Sequence, residues 1–306
     1  MKNIQIKGTN FSSSQLILGC MRIAGKKVEE VETLVLEALK AGINFFDHAD
    51  IYGRGNSETL FGEVLKKHPE LRSQMIIQTK CGIIPGKMYD SSKEHIIASV
   101  KASLERLQTS YIDILLIHRP DALSDPKEIS EAFTELYEAG LVKYFGISNY
   151  SAAQIELLQK YVKFPLIINQ IQASIVHSGI FDTGIFMNTI NEKIQDRDGS
   201  VLDYCRLNDV TIQAWSPIQA SWAEGSFLDH PDYEKLNLVL DRLAQKYSVD
   251  KSAIAIAWLL RHPANMQVIL GTTSVKHLLE SCKATDITIT REEWYELYLA
   301  QGKPLS

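Results

Sequence analysis

Four side chains, Asp47, Tyr52, Lys80 and His118, combine the functional groups that move a proton to or from an oxygen atom. A phenol has a pKa of about 10 and exchanges protons poorly near neutrality, but a neighbouring ammonium group lowers that pKa. Lys80 could act on Tyr52 in this way, with Asp47 keeping Lys80 charged. His118 could donate a hydrogen bond to a substrate carbonyl and polarise it. Since no side chain supplies hydride, a reduction at this site requires a cofactor.

The elements that must position these residues alternate along the chain. Short apolar, β-branched runs are separated by amphipathic segments, a pattern typical of repeated strand and helix units around a parallel sheet. Strands are predicted at residues 16–18, 43–46, 75–79, 112–117, 142–147, 166–169, 210–214 and 266–270. An α/β fold of the closed (β/α)8 TIM barrel type needs about 250 residues plus insertions. We therefore predict one barrel domain over residues 1–306.

Both ends of the chain add elements to this barrel. The residues before Leu16 predict an N-terminal β-hairpin with its turn at residues 7–10. Two helical segments replace one before the last strand, and an extra C-terminal helix is predicted to begin at Thr290. Other helix starts are predicted from capping side chains at Ser91, Asp125 and Ser151.

Polar or glycine residues stand at or just after most of the predicted strands. Because the strands of such a barrel are parallel, their carboxyl-terminal ends meet on one face, where active sites are built. Taken singly, each residue has an ordinary explanation, such as a helix cap or a packed aromatic ring. Their convergence favours a functional site at Asp47, Lys80, His118, Ser148, Asn149, Gln170, Trp215, Ser216, Gly271 and Thr272.

Six runs, in this order, resemble the aldo-keto reductase family. They are GINFFDHADIYG (42–53) with Ser57 and Glu58, IIQTKCG (76–82), SLERLQTSYIDILLIHRPD (103–121), KYFGISNYS (143–151), INQIQ (168–172) and AWSP (214–217). The similarity covers nearly the whole chain. It implies an oxidoreductase that transfers hydride from NAD(P)H to an aldehyde or ketone. Tyr52 would be the general acid, tuned by Lys80 and Asp47, and His118 would orient the substrate oxygen.

The resemblance also implies a cofactor site on the same face. Ser148, Asn149 and Gln170 would bind the nicotinamide carboxamide, Trp215 would stack on the ring, and Ser216 would contact the pyrophosphate. The full set of predicted cofactor-binding residues is Gly19, Met21, Asp47, Ser148, Asn149, Gln170, Trp215, Ser216, Gly271, Thr272, Ser274, Lys276 and His277.

The run LGTTSVKHLLES (270–281) departs from the family pattern. Many relatives place a lysine near Gly271 and an arginine near His277, where they bind the 2'-phosphate of NADP. Thr272, Ser274, Lys276 and His277 are available here, and a neutral histidine is a poorer phosphate partner than arginine. NADP(H) is the predicted cofactor, with NAD(H) left open.

Composition narrows the partners. A formal net charge of −5 without any block of lysine and arginine argues against nucleic acid or an anionic membrane as the main partner. The four cysteines lack metal-binding or disulfide-framework spacing, and no signal peptide or membrane span is indicated. We expect a cytoplasmic protein that acts on a small carbonyl compound. The physiological substrate and the oligomeric state are left open.

Two other functions share this fold. A cofactor-binding regulatory subunit would show little turnover, although the complete set of four catalytic residue types argues against that reading. A metal-dependent hydrolase or lyase would use ligands such as His48 and Asp50. The His-x-His pair expected of such a barrel is missing, so no metal site is predicted.

Overall fold

A closed barrel of parallel strands dominates the computed structural model, which describes residues 1–185 and 200–302. Numbered along the chain, the strands in these ranges are β1 (Asn3–Gln5), β2 (Ser12–Ser14), β3 (Leu16–Gly19), β4 (Phe45–Asp47), β5 (Ile76–Cys81), β6 (Ile83–Ile84), β7 (Met88–Tyr89), β8 (Ile112–Ile117), β9 (Val142–Ser148), β10 (Leu166–Gln172), β11 (Thr211–Trp215), β12 (Gln219–Ser221), β13 (Gly225–Ser226) and β14 (Gln267–Leu270). The barrel consists of β3, β4, β5, β8, β9, β10, β11 and β14. Each barrel strand pairs with the next in sequence, and β14 closes onto β3.

All eight predicted barrel strands are confirmed. Their runs are almost wholly apolar because both faces are buried, one in the barrel interior and one under the helices. In β5, for example, Ile76 belongs to the interior cluster and Ile77 to the outer one. The largest difference in bounds is at β10, which extends three residues beyond the predicted end at 169.

Helices surround the barrel. In the described ranges the α-helices are α1 (Val28–Lys40), α2 (Asn56–Lys67), α3 (Lys93–Leu107), α4 (Pro126–Glu138), α5 (Ala152–Gln159), α6 (Gly179–Ile185), α7 (Val201–Leu207), α8 (Glu234–Tyr247), α9 (Lys251–Leu260), α10 (Val275–Cys282) and α11 (Arg291–Ala300). Short 3-10 helices lie at Met21–Gly25, Tyr52–Gly55, Pro69–Gln74, Pro231–Tyr233 and Lys283–Thr285. Among the residues described, no helix combines the length and apolar character needed to cross a bilayer.

Helix starts follow the capping chemistry in most cases. Asp125, Ser151 and Thr290 each accept a hydrogen bond from a first-turn backbone N–H, as predicted. The prediction that Ser91 caps the start of α3 was wrong by one residue. Ser92 has the extended backbone of an N-cap and accepts from the His95 N–H at 3.4 Å, whereas the Ser91 N–H is held by an Asp121 carboxylate oxygen.

The additions at the two ends of the chain are also confirmed. β1 and β2 form an antiparallel hairpin, and the fully buried Ile6 joins Ile17 and Phe45 in the interior cluster, so the hairpin closes the amino-terminal end of the barrel. At the other end of the chain, α11 packs on α8 and α9, where the rings of Trp258 and Trp294 stack 4.6 Å apart. The predicted domain 1–306 also includes residues 186–199 and 303–306, which lie outside the described ranges.

Candidate active site

The Lys80 ammonium lies at the centre of the site, where it contacts three oxygen atoms. Lys80 is on β5, and Asp47 ends the neighbouring strand β4. Lys80 Nζ is 2.8 Å from Asp47 Oδ2, 2.8 Å from the backbone oxygen of His48 and 3.1 Å from the Tyr52 hydroxyl oxygen. An ammonium group has three N–H donors, so these acceptors use all of them. Three of the four predicted catalytic side chains therefore meet at one atom.

The charge on Lys80 is maintained without solvent. Its side chain is fully buried, and that burial alone would lower the pKa of the ammonium. The Asp47 carboxylate and the Tyr52 oxygen outweigh burial, so the pKa of Lys80 lies above its ordinary value. Lys80 therefore carries a positive charge next to the phenol at neutral pH.

The Tyr52 hydroxyl is held against Lys80 by a tight turn. The 3-10 helix Tyr52–Gly55 contains Gly53 and Gly55 in left-handed backbone, with φ of 58° and 91°. A Cβ atom on Gly53 would lie 2.2 Å from the Ala24 Cβ, so this close approach requires glycine. Burial raises the pKa of Tyr52, and the opposing effect of Lys80 does not cancel it. Lys80 does act to lower the pKa of Tyr52, as predicted, but the prediction left out desolvation, so the net shift is upward.

His118 follows β8 and faces Tyr52. The two rings meet edge to face with centroids 6.0 Å apart. Burial lowers the pKa of His118 well below its ordinary value, and the positive charges of Lys80 and Arg119 add to this effect. Among the residues described, its Nδ1 has no hydrogen-bond partner. The imidazole is therefore neutral near pH 7, and its one N–H can donate a hydrogen bond.

The residues predicted to bind nicotinamide form a connected set beside Asp47. Ser148 Oγ donates to the backbone oxygen of Gln170 at 2.8 Å, and Asn149 Nδ2 donates to Ser148 Oγ at 2.8 Å. Trp215 Nε1 donates to Asn149 Oδ1 at 3.3 Å. The Trp215 ring is partly exposed, and Asn149 has a left-handed backbone with φ of 62°, a conformation that is costly for a residue other than glycine. Amide groups and a flat ring suit a planar carboxamide-bearing ring.

Glycines at the ends of the first and last barrel strands allow neighbouring side chains to pack against the backbone on the same rim. A Cβ on Gly19 would lie 2.8 Å from Ile269 Cγ2, and one on Gly271 would lie 2.4 Å from Arg22 Nη1. Met21 begins the 3-10 helix after β3. Ser216 has φ of 53° and donates to Gln219 Oε1 at 2.8 Å. These predicted residues therefore lie on the rim that β11, β14 and β3 share.

The predicted phosphate-binding residues lie at the start of α10. Thr272 Oγ1 accepts from the Ser274 N–H at 3.0 Å, and Ser274 Oγ accepts from the His277 N–H at 3.4 Å, so both hydroxyls shape the turn. Lys276 is 78% exposed in its side chain and lies 3.8 Å from Glu280. This loose contact leaves the lysine available to an anion.

Residues missed by the sequence analysis include Gln78 and Gln213, whose amides lie beside Asp47. Gln78 Nε2 is 2.6 Å from Asp47 Oδ1 and 2.9 Å from Gln213 Oε1. A usable signal was the period of two along a strand, which places Gln78 on the same face of β5 as Lys80.

His48 and Asp50, considered above as metal ligands, do not face Asp47. The His48 ring packs edge to face on Phe61 of α2, with centroids 4.5 Å apart. Burial, together with the nearby negative charge of Glu58, raises the pKa of Asp50 to about 7. In the described ranges, no group of three His, Cys, Asp or Glu side chains is arranged to hold a metal ion.

The fold and the site together define a (β/α)8 barrel in which Asp47, Tyr52 and Lys80 meet at the carboxyl-terminal ends of the strands. Residues 15–298 match the family model described as the Aldo/keto reductase family. The chain is 35% identical over 306 aligned residues to a 6-dehydroglucose reductase of Agrobacterium fabrum, with 96% of each chain covered. The protein belongs to the aldo-keto reductase family, whose members are nicotinamide-dependent oxidoreductases.

Solved structures share this architecture. A thermostable aldo-keto reductase solved with the inhibitor epalrestat superposes with a TM-score of 0.77 at 27% identity, covering 98% of this chain and 100% of that one. An aldo/keto reductase from Klebsiella pneumoniae, solved with NADP and acetate, gives a TM-score of 0.79 at 20% identity, covering 99% and 96%. The fold predicted from the sequence is therefore confirmed.

Proposed function

We propose that this protein is an NADP(H)-dependent carbonyl reductase in which Tyr52 protonates the oxygen of an aldehyde or ketone. The observation that carries this proposal is the contact of Lys80 with both Asp47 and the Tyr52 hydroxyl. A buried positive charge fixed beside a phenol stabilises the phenolate and so assists transfer of the phenol proton.

The residues on the rim fit a nicotinamide cofactor. Ser148, Asn149 and Gln170 would hold the carboxamide, Trp215 would lie against the ring, and Ser216 would contact the pyrophosphate. Gly19, Met21 and Gly271 stand on the same rim and would lie against the rest of the molecule. When bound, the cofactor supplies the hydride that no side chain can provide.

Tyr52 enters the reaction protonated. Because burial raises its pKa, the phenol holds its proton until a carbonyl oxygen beside it gains negative charge. The neutral His118 would donate a hydrogen bond to that same oxygen and orient it. Once the proton has left, the phenolate oxygen is stabilised by the Lys80 ammonium 3.1 Å away. Asp47 keeps that ammonium charged and in place.

The preference for NADP over NAD rests on a small set of groups. Thr272, Ser274, Lys276 and His277 would meet the 2'-phosphate, with Lys276 as the most available cation. The Klebsiella neighbour was solved with NADP. A cytoplasmic location stays a prediction from the sequence.

The experiment is a fluorescence titration with NADPH and, separately, NADH, followed by NADPH oxidation with a panel of reactive aldehydes. The panel includes 6-dehydroglucose, the compound that appears in the name of the Agrobacterium relative. Tighter binding of NADPH together with turnover supports the proposal. Binding without turnover on any aldehyde would instead indicate a regulatory subunit, and binding of neither nucleotide would overturn both readings.

A further inference from the structure

A chain of buried glutamine side chains runs through the barrel interior to Asp47. Gln78, Gln170, Gln213 and Gln267 come from β5, β10, β11 and β14, and each is between 0% and 3% exposed. The interior of such a barrel is usually filled by branched apolar side chains. Four amides in their place require an explanation.

The direction of these hydrogen bonds follows from a backbone carbonyl at the amino-terminal end. The Ser14 oxygen can only accept, and Gln267 Nε2 donates to it at 2.9 Å. Gln267 Oε1 therefore points the other way, where it accepts from Gln213 Nε2 at 3.1 Å. Gln213 in turn presents its Oε1 to the residues beside Asp47. Gln213 is held in the same orientation from its other side, because the amides that donate to its Oε1 also donate to the Asp47 carboxylate, which can only accept.

Two amide NH2 groups complete the chain. Gln213 Oε1 accepts from Gln78 Nε2 at 2.9 Å and from Gln170 Nε2 at 3.1 Å. The second N–H of each group points to Asp47 Oδ1, at 2.6 Å from Gln78 and 3.0 Å from Gln170. Asp47 Oδ2 receives the Lys80 ammonium at 2.8 Å. Both carboxylate oxygens thus face donors alone, which suits an ionised carboxylate.

Gln78 holds this position at a cost. Its Oε1 is buried and has no partner among the residues described. An unpaired buried acceptor is unfavourable. Rotating the amide would not help, because Oε1 would then face Asp47 Oδ1 and Gln213 Oε1, two other acceptors. A residue that served packing alone would be better replaced by an apolar side chain of the same size.

We propose that Gln78 is a positioning residue for proton transfer: together with Gln170 it fixes the Asp47 carboxylate in the rotation that presents Oδ2 to Lys80. This inference rests on the proposed function of the site. Gln170 also belongs to the predicted nicotinamide site, whereas the hydrogen bonds of Gln78 go to Asp47 and Gln213. Gln78 itself is not among the predicted cofactor-binding residues, so its side chain can be changed without removing any of them.

Loss of the Gln78 amide would act through Asp47 and Lys80. The carboxylate would keep one donor on Oδ1 and could rotate, so Lys80 would lose its fixed acceptor and hold the Tyr52 oxygen less well. Misplaced catalytic groups reduce the chemical step more than substrate binding. We expect kcat to fall while the KM of the carbonyl and the Kd of NADPH stay nearly constant.

The test compares Gln78→Met with the matched variant Gln267→Met. Gln267 is equally buried and its hydrogen bonds go to Ser13, Ser14 and Gln213 rather than to Asp47. Three quantities are measured on full-length protein: kcat with KM, the NADPH Kd, and the 1H–15N NMR signal of the Lys80 ammonium without cofactor. That signal is assigned by its absence in Lys80→Met.

The expected result for Gln78→Met is a fall in kcat of about tenfold, KM and Kd within twofold, and a lost or shifted ammonium signal. Gln267→Met should keep kcat within twofold and retain the signal. Unchanged kcat with an unchanged signal in Gln78→Met overturns the proposal, as does an equal fall of kcat in both variants. If the wild type reduces no carbonyl, the proposed function fails and the NMR signal alone decides the role of Gln78.

Discussion

The carboxylate of Asp47 and the ammonium of Lys80 form an ion pair that water does not reach, with side chains 3% and 0% exposed. Lys80 Nζ and Asp47 Oδ2 are 2.8 Å apart, and each side chain has further hydrogen-bond partners inside the barrel. Such a pair gains little net stability over apolar residues, but losing one member leaves the other as an uncompensated buried charge. The pair therefore connects the folding of the barrel to the chemistry of Tyr52.

We expect Lys80→Met to lower the free energy of unfolding by about 3–5 kcal/mol, because Asp47 stays buried without its cation. The double variant Asp47→Asn with Lys80→Met should recover much of that stability, because no charge is left unpaired, yet carbonyl reduction should stay absent. Urea denaturation and NADPH oxidation assays measure the two effects separately. Equal destabilisation by the single and double variants would contradict this view of the pair.

An ion pair between two helices, in which the carboxylate is fully buried and the arginine side chain is 27% exposed, provides a second stability test. Arg106 on α3 contacts the fully buried Glu58 of α2 at 2.7 Å. Arg106→Leu should cost about 3–5 kcal/mol, since Glu58 would be buried without a cation. As a control, Arg242→Leu breaks the exposed contact between Arg242 and Glu296 and should cost less than about 1 kcal/mol. Comparable losses in the two variants would argue against a special role for burial.

The neutral state of His118 predicts a simple pH dependence. Burial lowers the pKa of His118 well below its ordinary value, so its charge does not change between pH 6 and 8. Wild type and His118→Gln should then give kcat/KM profiles of the same shape over this range. His118→Leu should lower kcat/KM further than His118→Gln does, because leucine has no hydrogen-bond donor for the substrate oxygen. A wild-type limb near pH 6.5 that disappears in His118→Gln would show that the histidine is ionised in the reaction.

His48 should make stability depend on pH. Burial lowers the pKa of His48 to about 3, whereas an unfolded histidine titrates near about 6.5. As pH falls below 6.5 the unfolded state binds a proton that the folded state does not, so stability is present above this value and is lost on acidification. The slope is about 1.4 kcal/mol per pH unit. Asp50, whose pKa is raised to about 7, makes the opposite contribution, but it does so equally in wild type and in a His48 variant.

We therefore compare wild type with His48→Leu by urea denaturation at pH 7 and pH 5. The variant should lose about 2 kcal/mol less than wild type between these values, because it has no imidazole to protonate on unfolding. An identical loss in both proteins would mean that His48 is not buried as a neutral ring.

The strands and the site rim were predictable because each depends on local sequence. Runs such as IDILLI show a strand buried on both faces, and the residues that end parallel strands must share one face. The meeting of Asp47, Lys80 and Tyr52 follows from neighbouring strands and a short turn.

The amide chain could not be predicted in the same way. Gln78 and Gln213 are 135 residues apart, and their contact depends on the tilt and register of strands across a closed barrel. The sign of the pKa shift at Tyr52 was missed for a related reason. Sequence shows which charge is near a phenol, but the water removed from around it depends on packing by residues from several loops. The start of α3 at Ser92 was missed because Asp121, 30 residues away, holds Ser91 outside the helix.

The most direct test of the proposed mechanism is carbonyl reduction by Tyr52→Phe, with Tyr137→Phe as a control on the half-exposed face of α4. Tyr52→Phe lacks only the hydroxyl oxygen of the tyrosine, so it should fold and bind NADPH with the wild-type Kd. Its kcat should fall by about 100-fold or more, because the proton donor is gone, while the control keeps full activity. Wild-type kcat in Tyr52→Phe, with cofactor binding intact, would show that another group protonates the carbonyl oxygen.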